Sequence, residues 1–103
     1  DNAKAWHGNG VTLSLLGHWA SALQAYERAI QLAPELADAW YAKGVTLGKL
    51  KRYQEALQAY ERVIQLQPDD ADAWYSKGVA LEALGRYREA DQARQRARQL
   101  QGK

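Results

Sequence analysis

Residues 37–68, ADAWYAKGVTLGKLKRYQEALQAYERVIQLQP, decide the fold, because close copies begin 34 residues upstream at Ala3 and 34 downstream at Ala71. In register, Trp6, Trp40 and Trp74 align, as do Gly10, Gly44 and Gly78, Leu13, Leu47 and Leu81, and Ala22, Ala56 and Ala90. The first copy matches the middle one at 19 of 34 positions and the third matches it at 20 of 32, agreement that chance does not sustain over three periods. A period of this length marks an array of supersecondary units, each burying its apolar face against its neighbours.

Within each unit the apolar spacing is helical. It predicts six helices in three antiparallel pairs, at about 3–16 and 20–33, 37–50 and 54–67, 71–84 and 88–101. Gly17 and Gly85 punctuate two of the hairpins, and Pro34 and Pro68, with no amide hydrogen to donate, stop the second helix of a unit. Gly44 facing Ala56 is expected to let the paired backbones approach, with Trp40 and Tyr53 filling the space beside them. The second helices carry two stripes, Ala56, Ala59, Val63 and Leu66, and an offset one of Leu57, Tyr60 and Ile64. The third copy writes Asp91, Arg94 and Arg98 on the offset stripe, which reads as a polar cap ending the array.

These residues resemble the tetratricopeptide repeat (TPR) family, whose pattern is an early Trp, a Gly four residues on, an aromatic after the turn, a small Ala, a Tyr or Phe, and a late Pro. The middle copy supplies Trp40, Gly44, Tyr53, Ala56, Tyr60 and Pro68. Departures are Arg94 for the aromatic, Gly102 for the Pro, and Lys43 and Lys77 where the family usually has an apolar residue. For these two lysines, either the stem packs while the ammonium reaches water, or the charge joins a polar network between units. The resemblance implies an all-α fold, a right-handed α-α superhelix of three antiparallel helix-turn-helix hairpins. One domain is expected over residues 1–103, with units at about 3–36, 37–70 and 71–103. Asp1-Asn2 echoes the end of a preceding unit, so the chain is expected to be a piece of a longer protein.

The bulk composition narrows the function. Fourteen basic against 12 acidic side chains leave a net charge of +2, too balanced to point to nucleic acid or a membrane. With no Cys, neither a disulfide framework nor a thiolate metal site is available. No apolar run is long enough to span a bilayer and no leader opens the chain, so a cytoplasmic protein is expected. His18 with Ser14 and Ser21 lacks a nearby acid and straddles a turn, no Gly-rich phosphate loop follows a strand, and two histidines are a poor start for a metal site. No enzyme activity, cofactor or metal is expected. Arg86, Arg88, Arg94, Arg96, Arg98 and Lys103 make the last 18 residues basic, but no aromatic interleaves them for base stacking, so they read as a solvated terminal face.

One further face remains. At about 100° per residue from Trp40, the positions Trp40, Gly44, Leu47 and Leu50 form the core side, while Asp38, Tyr41, Val45 and Lys49 form a separate one. Its equivalents are His7 and Val11 in the first unit and Tyr75 and Val79 in the third. In the TPR family these positions line the concave groove, which implies a protein-interaction module. A peptide or helical segment of a partner is expected across His7, Val11, Tyr41, Val45, Lys49, Tyr75 and Val79, held by apolar contact with weak salt dependence. Family members that clamp the terminal carboxylate of chaperone tails use five Lys, Asn and Arg donors. The matching positions here are His7, Val11, Ala42, Asp72 and Ser76, none of which is such a donor. The alternative is a structural spacer or self-assembly segment within a longer array, with weak self-association through the open N-terminal end.

Overall fold

The computed structural model describes residues 2–102. Asp1, paired above with Asn2, and Lys103, counted in the basic cluster, lie outside the described residues. Six helices follow one another: α1 (Asn2–Leu15), α2 (Trp19–Leu32), α3 (Ala37–Lys49), α4 (Tyr53–Leu66), α5 (Ala71–Ala83) and α6 (Tyr87–Gln101). Each begins and ends within one residue of its expected range, and the described residues contain no strand. Every helix packs on the next along the chain, and α1 also touches α3. The result is a stack of three hairpins measuring 37 × 27 × 20 Å.

The glycines on the core side admit an aromatic ring. A Cβ on Gly44 would lie 2.6 Å from Cε1 of Tyr60, and one on Gly10 would lie 2.5 Å from the same atom of Tyr26. The group nearest Gly44 across the hairpin is therefore the Tyr60 ring, one turn beyond Ala56, while in the third unit Gly78 does approach the expected Ala90, whose carbonyl oxygen lies 3.1 Å from where a Cβ would sit. Ala56 is buried beside the Tyr60 ring. In the third unit Arg94 takes the ring's place, its Cγ 3.0 Å from where a Gly78 Cβ would sit. Its guanidinium pairs with Glu82 at 2.7 Å. Arg94 is thus half-buried inside its hairpin, while Asp91 and Arg98 are exposed as a polar outer face requires.

Trp40 and Trp74 lie beside the second helix of their own unit, Trp40 near Ala59 and Arg62 and Trp74 near Gln92 and Ala93, and also reach back to the preceding unit. The indole Nε1 of Trp40 donates to the carbonyl of Pro34 at 2.7 Å, and that of Trp74 to Pro68 at 2.9 Å. The proline that stops one unit thereby supplies the acceptor that seats the next. Lys43 and Lys77 cross the same junction. Their Nζ atoms lie 3.4 Å and 3.5 Å from Glu27 and Glu61 of the preceding unit. They also lie 5.4 Å and 5.2 Å from the ring centroids of Trp40 and Trp74. Both alternatives for these lysines hold in part, since the stem covers an indole and the head finds a carboxylate between units. Half-exposed pairs of this kind contribute about 0 to 1 kcal/mol, so the junctions rest mainly on Leu23, Leu47, Leu57 and Leu81, all buried in one apolar cluster.

The hairpin turns share one geometry. His18, Arg52 and Arg86 donate their amides back to Leu13, Leu47 and Leu81 at 2.9, 2.8 and 2.9 Å, closing the helix end around a left-handed residue. That residue is Gly17 (φ +78°) in the first turn and Gly85 (φ +79°) in the third, but Lys51 (φ +61°) in the second.

Three outcomes follow from this packing. Gly44→Ala is expected to destabilise the chain by roughly 2 kcal/mol, because three ring atoms of Tyr60 would lie under 3.0 Å from the new methyl. Gly78→Ala meets the Arg94 Cγ at 3.0 Å and the Ala90 carbonyl at 3.1 Å, milder overlaps than at Gly44, so it should destabilise less; equal urea midpoints for the two variants would contradict this account. Lys51→Gly should stabilise by about 0.5 to 1 kcal/mol by relieving the left-handed cost of a side chain, read as a rise in melting temperature. Burial, with a smaller contribution from the charge of Tyr41, pushes the Tyr60 hydroxyl up to about 12, while a bond to Ser76 offsets part of the shift. The folded state favours the neutral phenol, so this stabilisation is complete below the unfolded value of about 10 and is lost as pH rises from there towards 12. Urea melts across that window should show a smaller loss for Tyr60→Phe than for the parent chain.

Candidate functional site

The first helices of the three units, α1, α3 and α5, repeat the same register, so side chains at equivalent positions form rows across them. From the N-terminal ends the rows read Lys4, Asp38 and Asp72, then His7, Tyr41 and Tyr75, then Val11, Val45 and Val79. The valines are 39, 36 and 44% exposed and Tyr75 is 54% exposed. These are large apolar groups that the core leaves in water.

Tyr41 differs from Tyr75 at the equivalent position. It is half-buried, its ring centroid 5.6 Å from that of Tyr60, and its hydroxyl lies 2.9 Å from Ser76 Oγ. It packs against both apolar clusters of the core, so it is a structural residue as well as a surface one. His7 repeats half of this arrangement, 5.6 Å from Tyr26. Lys49 at the end of α3 leans over the Trp19 indole of the first unit, 5.7 Å from its centroid.

Two cavities open beside the Tyr41–Ser76 bridge. A cleft of about 330 Å³ lies toward the helix N-termini, lined by His7, Asp38, Tyr41, Ala42, Asp70 and Asp72 together with Ala37 and Gln67. A hollow of about 110 Å³ lies toward the C-termini, lined by Gly48, Tyr53, Ala56, Tyr60, Ser76, Val79 and Ala80. His7 and Tyr41 thus meet in the cleft and Val79 enters the hollow, whereas Val11, Val45, Lys49 and Tyr75 line neither. Asp38 stands on the face read from the sequence, whereas Gly48, Ser76, Asp70 and Asp72 are not among its residues. The recurrence of Asp at positions 38 and 72 was the available signal, but Asp70 joins them only because it caps α5, its carboxylate accepting the Ala73 amide at 3.2 Å.

Elsewhere the chemistry-bearing groups are dispersed. Among the described residues no three His, Cys, Asp or Glu side chains converge as metal ligands would. Ser14 Oγ lies 3.1 Å from the Tyr26 hydroxyl, and His18 is exposed at the turn. In the basic C-terminal segment Arg86 is held by Glu89 at 2.7 Å and Arg94 by Glu82 at 2.7 Å. The Glu89 carboxyl is pulled below its usual range by the Arg86 hydrogen bond. No described helix is long and apolar enough to cross a membrane.

Known proteins sharpen the picture. Family models described as tetratricopeptide repeat match residues 37–70 and 59–92, and one described as TPR repeat matches 10–51. No curated protein sequence matches the chain. Among solved structures, a crystal structure of MamA is 29% identical, with a TM-score of 0.95 over 98% of this chain and 59% of MamA's. A MamA RS-1 ArsTM double mutant is 30% identical, with a TM-score of 0.91 over 96% of this chain and 56% of that one. The second TPR of Spaghetti (RPAP3), bound to the HSP90 peptide SRMEEVD, is 23% identical, with a TM-score of 0.93 over 97% of this chain and 93% of that one. The chain spans a little over half the length of these two MamA structures. The family matches together run from residue 10 to residue 92 over three hairpins of the expected register, and the chain belongs to the tetratricopeptide repeat family, whose members are protein-interaction modules.

Proposed function

We propose that the three units act as one domain that binds a peptide or helical segment of a partner protein across α1, α3 and α5, with His7, Val11, Tyr41, Val45, Lys49, Tyr75 and Val79 as the contact surface. The carrying observation is the exposed apolar row, Val11, Val45 and Val79 beside Tyr75, repeated at the period of the fold where core packing does not require it. Tyr offers a large rigid apolar body with a hydroxyl, suited to an interface core. In this reading the domain does not hold acidic chaperone tails of the kind bound by the RPAP3 domain. Asp72 and Ala42 stand where the carboxylate-clamping members carry donors, and Asp72 repels a terminal carboxylate.

A second reading draws on Trp6 and Leu16 at the open face of α1, 39 and 65% exposed. They hold the positions of Trp40 and Leu50, which the preceding unit partly covers. A spacer or stacking role would use this face. A copy stacked head to tail would set Asp91 of α6 where Leu23 and Leu57 cover the junctions, which disfavours an open chain of copies.

Tyr75 is the cleaner probe of the groove, since Tyr41 also supports the core. Tyr75→Ala is expected to weaken binding of the partner segment by roughly 1 to 3 kcal/mol with the melting temperature nearly unchanged. Calorimetry and thermal melts run together check this, with solution mass measured over a concentration series. Unaltered affinity would move the binding surface elsewhere, and a concentration-dependent mass abolished by Leu16→Glu would favour the stacking role.

A further inference from the structure

We infer that the segment bound in this groove carries a Lys or Arg side chain that enters the cleft between α3 and α5, next to an apolar side chain seated in the hollow. This rests on the groove reading above and adds the chemistry of the partner.

The cleft is acidic. Three of its lining residues are Asp38, Asp70 and Asp72, and His7 is the one basic residue among them. The pairs Lys43–Glu27, Arg52–Glu55, Lys77–Glu61, Arg86–Glu89 and Arg94–Glu82 do not involve these aspartates. Asp70 is partly engaged as the cap of α5, while Asp38 and Asp72 are exposed. Carboxylates gathered in a concavity focus a negative potential. A wholly apolar segment lying on the adjoining aromatic row would strip water from these carboxylates with no return, and unpaired desolvation of an ion is costly. A cation removes that penalty, and the Tyr41 ring in the wall of the cleft offers its stem a flat apolar surface.

The hollow supplies the second determinant. Its floor is Ala56, Tyr60 and Ala80, with Val79 and Tyr53 beside them. It opens beside Gly48, where the first and third units carry Ser14 and Glu82, and a Cβ on Gly48 would meet nothing within 4 Å. From Ala42 and Asp38 to Gly48 is about 9 to 15 Å along α3, within reach of one short segment. The acidic cleft also adds a salt-sensitive component to an affinity that the apolar stripe alone would leave nearly salt-independent.

The test is selection of a random 12-residue peptide library, displayed on phage, against the whole 103-residue chain, followed by titration of the enriched peptides. Enriched sequences are expected to place Arg or Lys near Leu, Ile, Val or Phe. Their affinity should fall about tenfold for Asp38→Asn/Asp72→Asn and for Gly48→Val, stay constant for the exposed control Glu35→Gln, and weaken as salt is raised. The acidic peptide SRMEEVD should not bind. Peptides that lose affinity to Tyr75→Ala and Gly48→Val but ignore the Asp double variant, or enrichment of acidic peptides, would overturn this inference while leaving the groove in place. Peptides indifferent to Tyr75→Ala and Gly48→Val, or no enrichment at all, would remove the groove reading and this inference together.

Discussion

The ring of Tyr60 packed against Gly44, and that of Tyr26 against Gly10, is the contact on which the rest of the structure depends. A hairpin of two helices closes only if something large fills the wedge between them without pushing them apart, and an aromatic ring over a bare Cα does both. The same ring reaches the functional face. Tyr60 forms part of the floor of the hollow and supports Tyr41 from beneath, so the depth of the groove and the pitch of the hairpin are set by one side chain. Its neutral phenol is held there by burial, which couples the groove floor to the stability of the unit.

Junctions between units are built from weaker and more separable parts. The indole bonds to Pro34 and Pro68 orient each unit on the last, and the Lys43–Glu27 and Lys77–Glu61 pairs bridge the same seams at their edges. Most of the stabilisation comes from the leucines buried between them. Such nearest-neighbour assembly makes stability close to a sum over units and junctions. Arg94 shows how the scheme tolerates change: its stem fills the site of a ring and its head finds Glu82 at the surface, so a polar residue closes a hairpin without leaving a buried charge unpaired.

Repetition also separates the groove into chemically distinct rows. Because α1, α3 and α5 share a register, aromatic rings and valines line up across the three units and aspartates across the last two, so a ligand over α3 and α5 meets carboxylates along one edge and apolar groups along the other. The fold is shared with MamA and with the RPAP3 domain, which holds the acidic peptide SRMEEVD. The side chains displayed on the common scaffold, and not the scaffold, therefore decide the partner.

The amino-acid sequence by itself determined the architecture. A 34-residue period with Trp, Gly, Ala and Pro in fixed places, and apolar spacing of helical pitch, locates six helices to within a residue, because helix periodicity and Pro or Gly stops are local properties of the chain. It also separated the outward row of His7, Tyr41 and Tyr75 from the core row of Trp and Leu, since both follow from position around one helix. Only the tertiary structure decided that the Tyr60 ring lies nearest Gly44, that Trp40 turns back to Pro34, that Lys43 finds Glu27, and that Tyr41 is shared between core and surface. It alone joined Asp70, at a turn, to Asp38 and Asp72 on two helices, and opened a hollow beside Gly48. These depend on the rotation of one helix against another and on the rotamer each side chain takes once its neighbours are in place, quantities that a one-dimensional period does not contain.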